Sequence, residues 1–135
     1  MKNFDVQSVR FDIPLTIAFE YIALAENLPT WTNAFASANK SEAVLRTPHG
    51  EVPISLKVDA SLQAGTIDWY MGFPDGSEAT AFSRLIPLSA QQCVFSFVLT
   101  PPPVPLEVLE GALSTQAEIL KEELKSLKQI LESST

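Results

Sequence analysis

VPLEVLEGALSTQAEILKEELKSLKQIL, residues 104–131, places Leu106, Leu109, Leu113, Ala117, Leu120, Leu124, Leu127 and Leu131 at alternating three- and four-residue steps. That spacing puts one continuous apolar stripe down a single helix face. At about 1.5 Å per residue the helix is roughly 40 Å long and must lie across whatever the rest of the chain builds. Glu107 and Glu110 fall near its positive N-terminal end and Lys121, Lys125 and Lys128 in later turns, as the helix macrodipole favours. Glu118, Lys121, Glu122, Lys125 and Gln129 form a solvated face. The seam could pair with a second copy as a coiled coil, but a sheet without other cover would then stay exposed, so packing within the chain is expected.

The segment before it, Thr100-Pro-Pro-Pro-Val-Pro105, is an extended corner that neither a helix nor a central strand can absorb. Further back, from about Ala36 to Leu99, strand-length segments alternate with turn signals: Thr47-Pro48-His49-Gly50, Gln63-Ala64-Gly65, Pro74-Asp75-Gly76 and Pro87-Leu88-Ser89-Ala90. Turns this short join antiparallel neighbours, because parallel strands need crossovers of a dozen residues or more. Alternation turns Ile54, Leu56 and Val58, then Ile67, Trp69, Met71 and Phe73, then Cys93, Phe95, Phe97 and Leu99 toward the long helix. Over residues 78–86, Ala79, Ala81, Ser83 and Leu85 compete with Thr80, Phe82, Arg84 and Ile86 for the inner face. The phase stays open, leaning to Phe82 and Arg84 inward.

At the front, residues 3–13 read as a strand with a bulge or twist, since Phe4 and Val6 share one phase and Val9, Phe11 and Ile13 the other. Pro14 opens a short helix with Ile17, Tyr21 and Leu24 on one face and Phe19, Ile22 and Ala23 beside them. Asn27 is an N-cap for a second short helix opening with Leu28 and Pro29 and carrying Trp31 and Phe35.

Length and composition fit one domain over residues 1–135, able to bury roughly two thirds of its unfolded surface. Hydrophobic residues make up 46% and charged residues 19% of the chain, which excludes disorder. A net charge of -7 with nine scattered basic residues argues against nucleic acid and against an anionic membrane surface. No stretch is long enough for a signal peptide or a membrane span, and the single cysteine, Cys93, reads as a small buried hydrophobe. A cytoplasmic, reducing setting is expected.

FDIPLTIAFEYIALAENLPTWTNAF, residues 11–35, followed by a meander and a long amphipathic helix, resembles the START/Bet v 1-like superfamily, also called SRPBCC or polyketide cyclase/dehydrase-like proteins. The likeness covers nearly the whole chain. It implies an α+β helix-grip fold: a curved antiparallel sheet of six to seven strands around the C-terminal helix, two short helices after the first strand, and a cavity between sheet and helix for an apolar or aromatic molecule. The family shares a container rather than a reaction, so function rests on the site.

Trp31, Phe35, Trp69, Met71, Phe82, Phe95 and Phe97, with Phe73 beside them, supply more bulky surface than a thin sheet-on-helix core needs, and they are the candidate ligand-binding residues together with Leu109 and Leu113 of the helix. The Leu106 to Leu120 half of the stripe is expected to line the pocket and the Leu124 to Leu131 half to pack solidly. No nucleophile–base arrangement or phosphate-binding glycine loop can be assembled. Arg84, Tyr70 and His49 are the catalytic candidates should a reaction occur. Tyr21, Glu20 and Asp68 carry less weight, and His49, in the turn sequence Pro-His-Gly, reads first as exposed. One histidine and one cysteine give no metal site, and no cofactor is called for. The reading is a binder of a small hydrophobic or aromatic ligand, lipid or polyketide-like, working as a monomer or homodimer. A cyclase- or dehydrase-type enzyme in the same cavity, and a protein-interaction module or chaperone cofactor, stay open as alternatives.

Overall fold

The computed structural model describes residues 4–47, 50–100 and 106–133, with the backbone alone for Thr47 and residues 106–114. Strand β1 (Asp5–Phe11) is followed by helix α1 (Leu15–Ala23), a single 3-10 turn (Ala25–Asn27) and helix α2 (Leu28–Trp31). Six strands then run in sequence, β2 (Phe35–Ala38), β3 (Glu42–Thr47), β4 (Gly50–Ser61), β5 (Thr66–Gly72), β6 (Glu78–Ser89) and β7 (Gln92–Leu99), before the long helix α3 (Leu106–Ser133). All neighbours pair antiparallel in the order β1-β7-β6-β5-β4-β3-β2, so the chain meanders from β2 to β7 and closes by setting β1 beside β7. The curved seven-stranded sheet holds α3 along β1 and against α2, an α+β helix-grip architecture. No helix among the described residues is long and apolar enough to cross a membrane.

The inner faces of β4, β5 and β7 follow the expected alternation: Ile54 and Leu56, Ile67 and Trp69, and Cys93, Phe95 and Phe97 are buried. Gly65 shows how tightly the β5–β6 edge is drawn. Its φ is +76°, and a Cβ there would sit 2.3 Å from the Leu85 carbonyl oxygen, so only glycine fits.

Three local readings are corrected. β1 pairs with β7 in one unbroken register, without a bulge; Val9 and Phe11 turn inward, while Phe4 and Val6 remain half exposed on the outer side. In α1 the buried side chains are Ala18 and Ile22, whereas Ile17 and Leu24 are exposed. A short helix crossing a sheet at close range selects a small residue at its contact point, and hydrophobicity alone does not reveal this. In β6 the inner phase is Ala79, Ala81, Ser83 and Leu85, and both Phe82 and Arg84 turn outward.

Asn27 stands at the N-cap of α2 without a side-chain capping bond. Its Nδ2 instead donates to the Tyr21 carbonyl at 3.0 Å, while the Thr30 hydroxyl donates to the Asn27 carbonyl, leaving the Tyr21 hydroxyl to donate to Thr30 Oγ1 at 2.6 Å. These bonds join α1 to α2 and set the position of Trp31.

Candidate functional site

Between the sheet and α3 lies a cavity of about 940 Å³, within the range of small-molecule sites. Its space has a cause in the register. Ala79 stands opposite Met71, Ala81 opposite Trp69 and Ser83 opposite both Ile67 and Phe97. Small inner residues on β6, set between large ones on β5 and β7, leave a trough that no described side chain fills. The Ser83 hydroxyl, buried in this row, donates to the Ile67 carbonyl at 2.6 Å and so needs no further partner.

Of the sequence-derived candidates, Trp31 comes from α2, Phe35 from β2, Trp69 and Met71 from β5, and Phe97 from β7; all five line the cavity. Phe82 also borders it, but alternation turns its side chain to the outer face, so the strand contributes there through its backbone. Phe95 is fully buried and is not among the lining residues. It stacks on Phe11 at 6.1 Å and meets Phe97 edge-on at 6.2 Å, and Phe97 in turn stacks on Trp69 at 5.8 Å. Phe95 therefore ties the solid core to the cavity wall. The side chains of Leu109 and Leu113 lie outside the described residues.

The catalytic candidates are not assembled by the fold. Tyr70 and Arg84 are exposed on the outer face, with the sheet between them and the cavity, and His49 lies outside the described residues. Tyr21 is half-buried and engaged with Thr30, Glu20 is exposed, and Asp68 is on the outer phase of β5. Among the described residues no three His, Cys, Asp or Glu side chains gather into a metal-binding group.

The sequence pattern does not mark Gln116 and Glu123 of α3, which are among the wall residues. Together with Leu120 they occupy positions i, i+4 and i+7 on α3, one face directed at the cavity. Oε2 of Glu123 accepts the backbone N–H of Asn33 at 2.6 Å, and the Asn33 carbonyl accepts from Arg46 Nη1 at 3.2 Å. Burial pushes the Glu123 carboxyl above the ordinary glutamate range, and the Asn33 bond offsets only part of that rise. Beside the stripe of leucines, Glu123 reads in the sequence as one more acidic residue in a charged helix. The signal for it is its place three residues after Leu120 and four before Leu127, on the edge of the buried face.

The indole Nε1 atoms of Trp31 and Trp69 are both buried without a hydrogen-bond partner. Such donors cost about 1–3 kcal/mol each, and both belong to residues of the wall.

No family model matches the sequence, and no curated protein matches it. Solved structures do match its fold. A START superfamily protein from Mycobacterium smegmatis aligns over 99% of this chain and 100% of its own with a TM-score of 0.71 at 13% identity. The Zhui aromatase/cyclase from Streptomyces sp. R1128 aligns over 96% of this chain and 93% of its own, with a TM-score of 0.64 at 10% identity. The di-domain ARO/CYC BexL from the BE-7585A biosynthetic pathway aligns over 98% of this chain but 47% of its own, with a TM-score of 0.72 at 15% identity, so this chain spans about half of it. At such identities the likeness is one of architecture, and the protein has the START-like helix-grip fold.

Proposed function

We propose that the protein binds a small apolar or aromatic molecule in the cavity between the sheet and α3. The observation that carries this reading is the row of small residues on β6, which holds open about 940 Å³ between aromatic walls. Filling that trough with larger side chains would bury more apolar surface and stabilise the fold, so the open space is the feature that needs a ligand to explain it. The kinship in fold with proteins named START and aromatase/cyclase supports the same reading. Native mass spectrometry of protein purified without detergent tests it: a bound mass that leaves on denaturation is expected, and a preparation that neither carries nor accepts any apolar molecule rejects it.

A cyclase- or dehydrase-type reaction in the same cavity is the second reading. Its support is Glu123, a cavity-wall carboxyl whose raised pKa suits a general acid or base. Arg84 and Tyr70, on the outer face, have no part in it.

A further inference from the structure

The charges around the cavity are one-sided. Three ionisable residues line it, Asp75, Glu78 and Glu123, and all are acidic; among the described residues no Lys, Arg or His does. Residues 101–114 carry Glu107 and Glu110 and no basic residue. Arg46 is exposed, engages the Asn33 carbonyl and is not a wall residue.

A carboxylate, phosphate or sulfate placed here would leave water without gaining a counterion among the described wall residues, and it would face Glu123 as well. The opposite holds for a donor. Glu123 Oε2 is occupied by the Asn33 N–H, while its other carboxylate oxygen has no hydrogen-bond partner among the described residues. A hydroxyl or ammonium group reaching that oxygen would replace the water the carboxyl has lost. Trp31 and Phe35 place aromatic side chains in the same wall, and aromatic rings suit a cation as well as an apolar chain.

Resting on the binding reading above, we propose that the bound molecule presents a hydrogen-bond donor, a hydroxyl or an ammonium, to Glu123 and carries no negative charge. Fatty acids and other anionic amphiphiles are thereby selected against.

The test uses dodecanol, dodecylamine and dodecanoic acid, which share one chain and differ in the head, as competitors for N-phenyl-1-naphthylamine bound to the full chain at about pH 8, where the acid is ionised and the amine charged. The alcohol and the amine are expected to compete at least about tenfold more strongly than the acid, and Glu123→Gln to shrink the gap between amine and acid to about threefold or less. Dodecanoic acid competing as well as either of the others overturns the proposal while leaving the cavity a binding site. An unchanged gap in a folded Glu123→Gln variant overturns it as well. Failure of the naphthylamine itself to bind overturns the binding reading and this one with it. Should the variant not fold, the wild-type ranking decides alone.

Discussion

Glu123 on α3 and Asn33, two residues beyond α2, are joined by a 2.6 Å bond from the Asn33 N–H to Oε2, which fixes a half-buried carboxyl at the wall of the cavity. The bond orients the carboxyl but does not compensate for its burial, because the folded-state pKa still lies above the ordinary glutamate value. The sign for stability follows. With the folded pKa raised, the native state binds more protons than the unfolded chain in the window between the two values, so stability falls as pH rises through it. Glu123→Gln keeps an acceptor for Asn33 and removes the charge. Thermal melts of the two proteins should therefore diverge in favour of the variant as pH rises from the ordinary glutamate value through the raised folded one, and the difference should then stay level toward neutrality. Parallel pH profiles would show that Glu123 is not desolvated in solution.

Ala81 faces Trp69 across the β5–β6 ladder and lines the cavity. Leucine at that position extends into open space rather than into packed atoms. Ala81→Leu is expected to weaken N-phenyl-1-naphthylamine binding about tenfold, or 1.4 kcal/mol, with no fall in melting temperature. A loss of stability without a loss of affinity would mean that Ala81 is packed and that the probe binds elsewhere.

The long helix divides within its described half. Leu127 is fully buried in the core, as are Leu124 and Leu131 to within a few per cent, whereas Leu120, equally shielded from solvent, borders the cavity. A side chain next to existing space loses fewer contacts when it is cut back than one enclosed on all sides. Leu127→Ala should cost about 3–5 kcal/mol and Leu120→Ala about 1–2 kcal/mol less than that, measured by denaturant unfolding. Equal losses would remove the distinction between a lining and a packing half.

Much of this architecture was legible in the chain because its elements obey simple periods. The leucine spacing of α3, the turn residues of the meander and the alternation in β4, β5 and β7 each reflect burial on one face, which is what periodicity reports. β6 escaped for the opposite reason. Its inner face is Ala79, Ala81, Ser83 and Leu85, and its outer face carries Phe82 and Ile86, so a rule that sends the bulkiest residues inward favours the wrong phase wherever the interior is hollow. The same hollow explains the site. The aromatic walls announced themselves by bulk, but Glu123 and Gln116 are polar residues on a charged helix, and apart from the place of Glu123 on the edge of the buried stripe it is the path of α3 past the cavity that distinguishes them from their solvated neighbours. Phe95 carries the converse lesson: bulk and inward phase are shared by wall and core, and its position beside Phe11 decides between them.

Cys93 is completely buried in β7, opposite Phe11 of β1, and desolvation raises its thiol pKa. Both the access and the thiolate needed for reaction are thus suppressed. Labelling by a disulfide reagent should be at least about a hundredfold slower than for the unfolded chain and should track unfolding as denaturant is added. Rapid labelling of the native protein would show that the β1–β7 edge opens readily.

At its far end α3 is fastened by Glu132, whose Oε2 accepts from Lys128 Nζ at 2.7 Å and from the backbone N–H of Asp12 at 2.8 Å, while Lys128 also donates to the Arg10 carbonyl. The Lys128 hydrogen bond is the main reason the Glu132 carboxyl titrates below its ordinary range, with the Asp12 N–H adding to it. Here the sign is the reverse of that at Glu123. A depressed folded pKa gives stability that is present above the ordinary glutamate value and is lost as pH falls through the folded one. The side chain is only partly shielded, so solvent screening limits the contribution to about 0.5 kcal/mol. Glu132→Gln should therefore melt slightly below wild type near neutrality, and the difference should fade as pH falls below the ordinary glutamate value through the lowered folded one, and shrink in molar salt. A difference that persists in acid would place its origin in the packing of the α3 terminus against β1 and not in the charge.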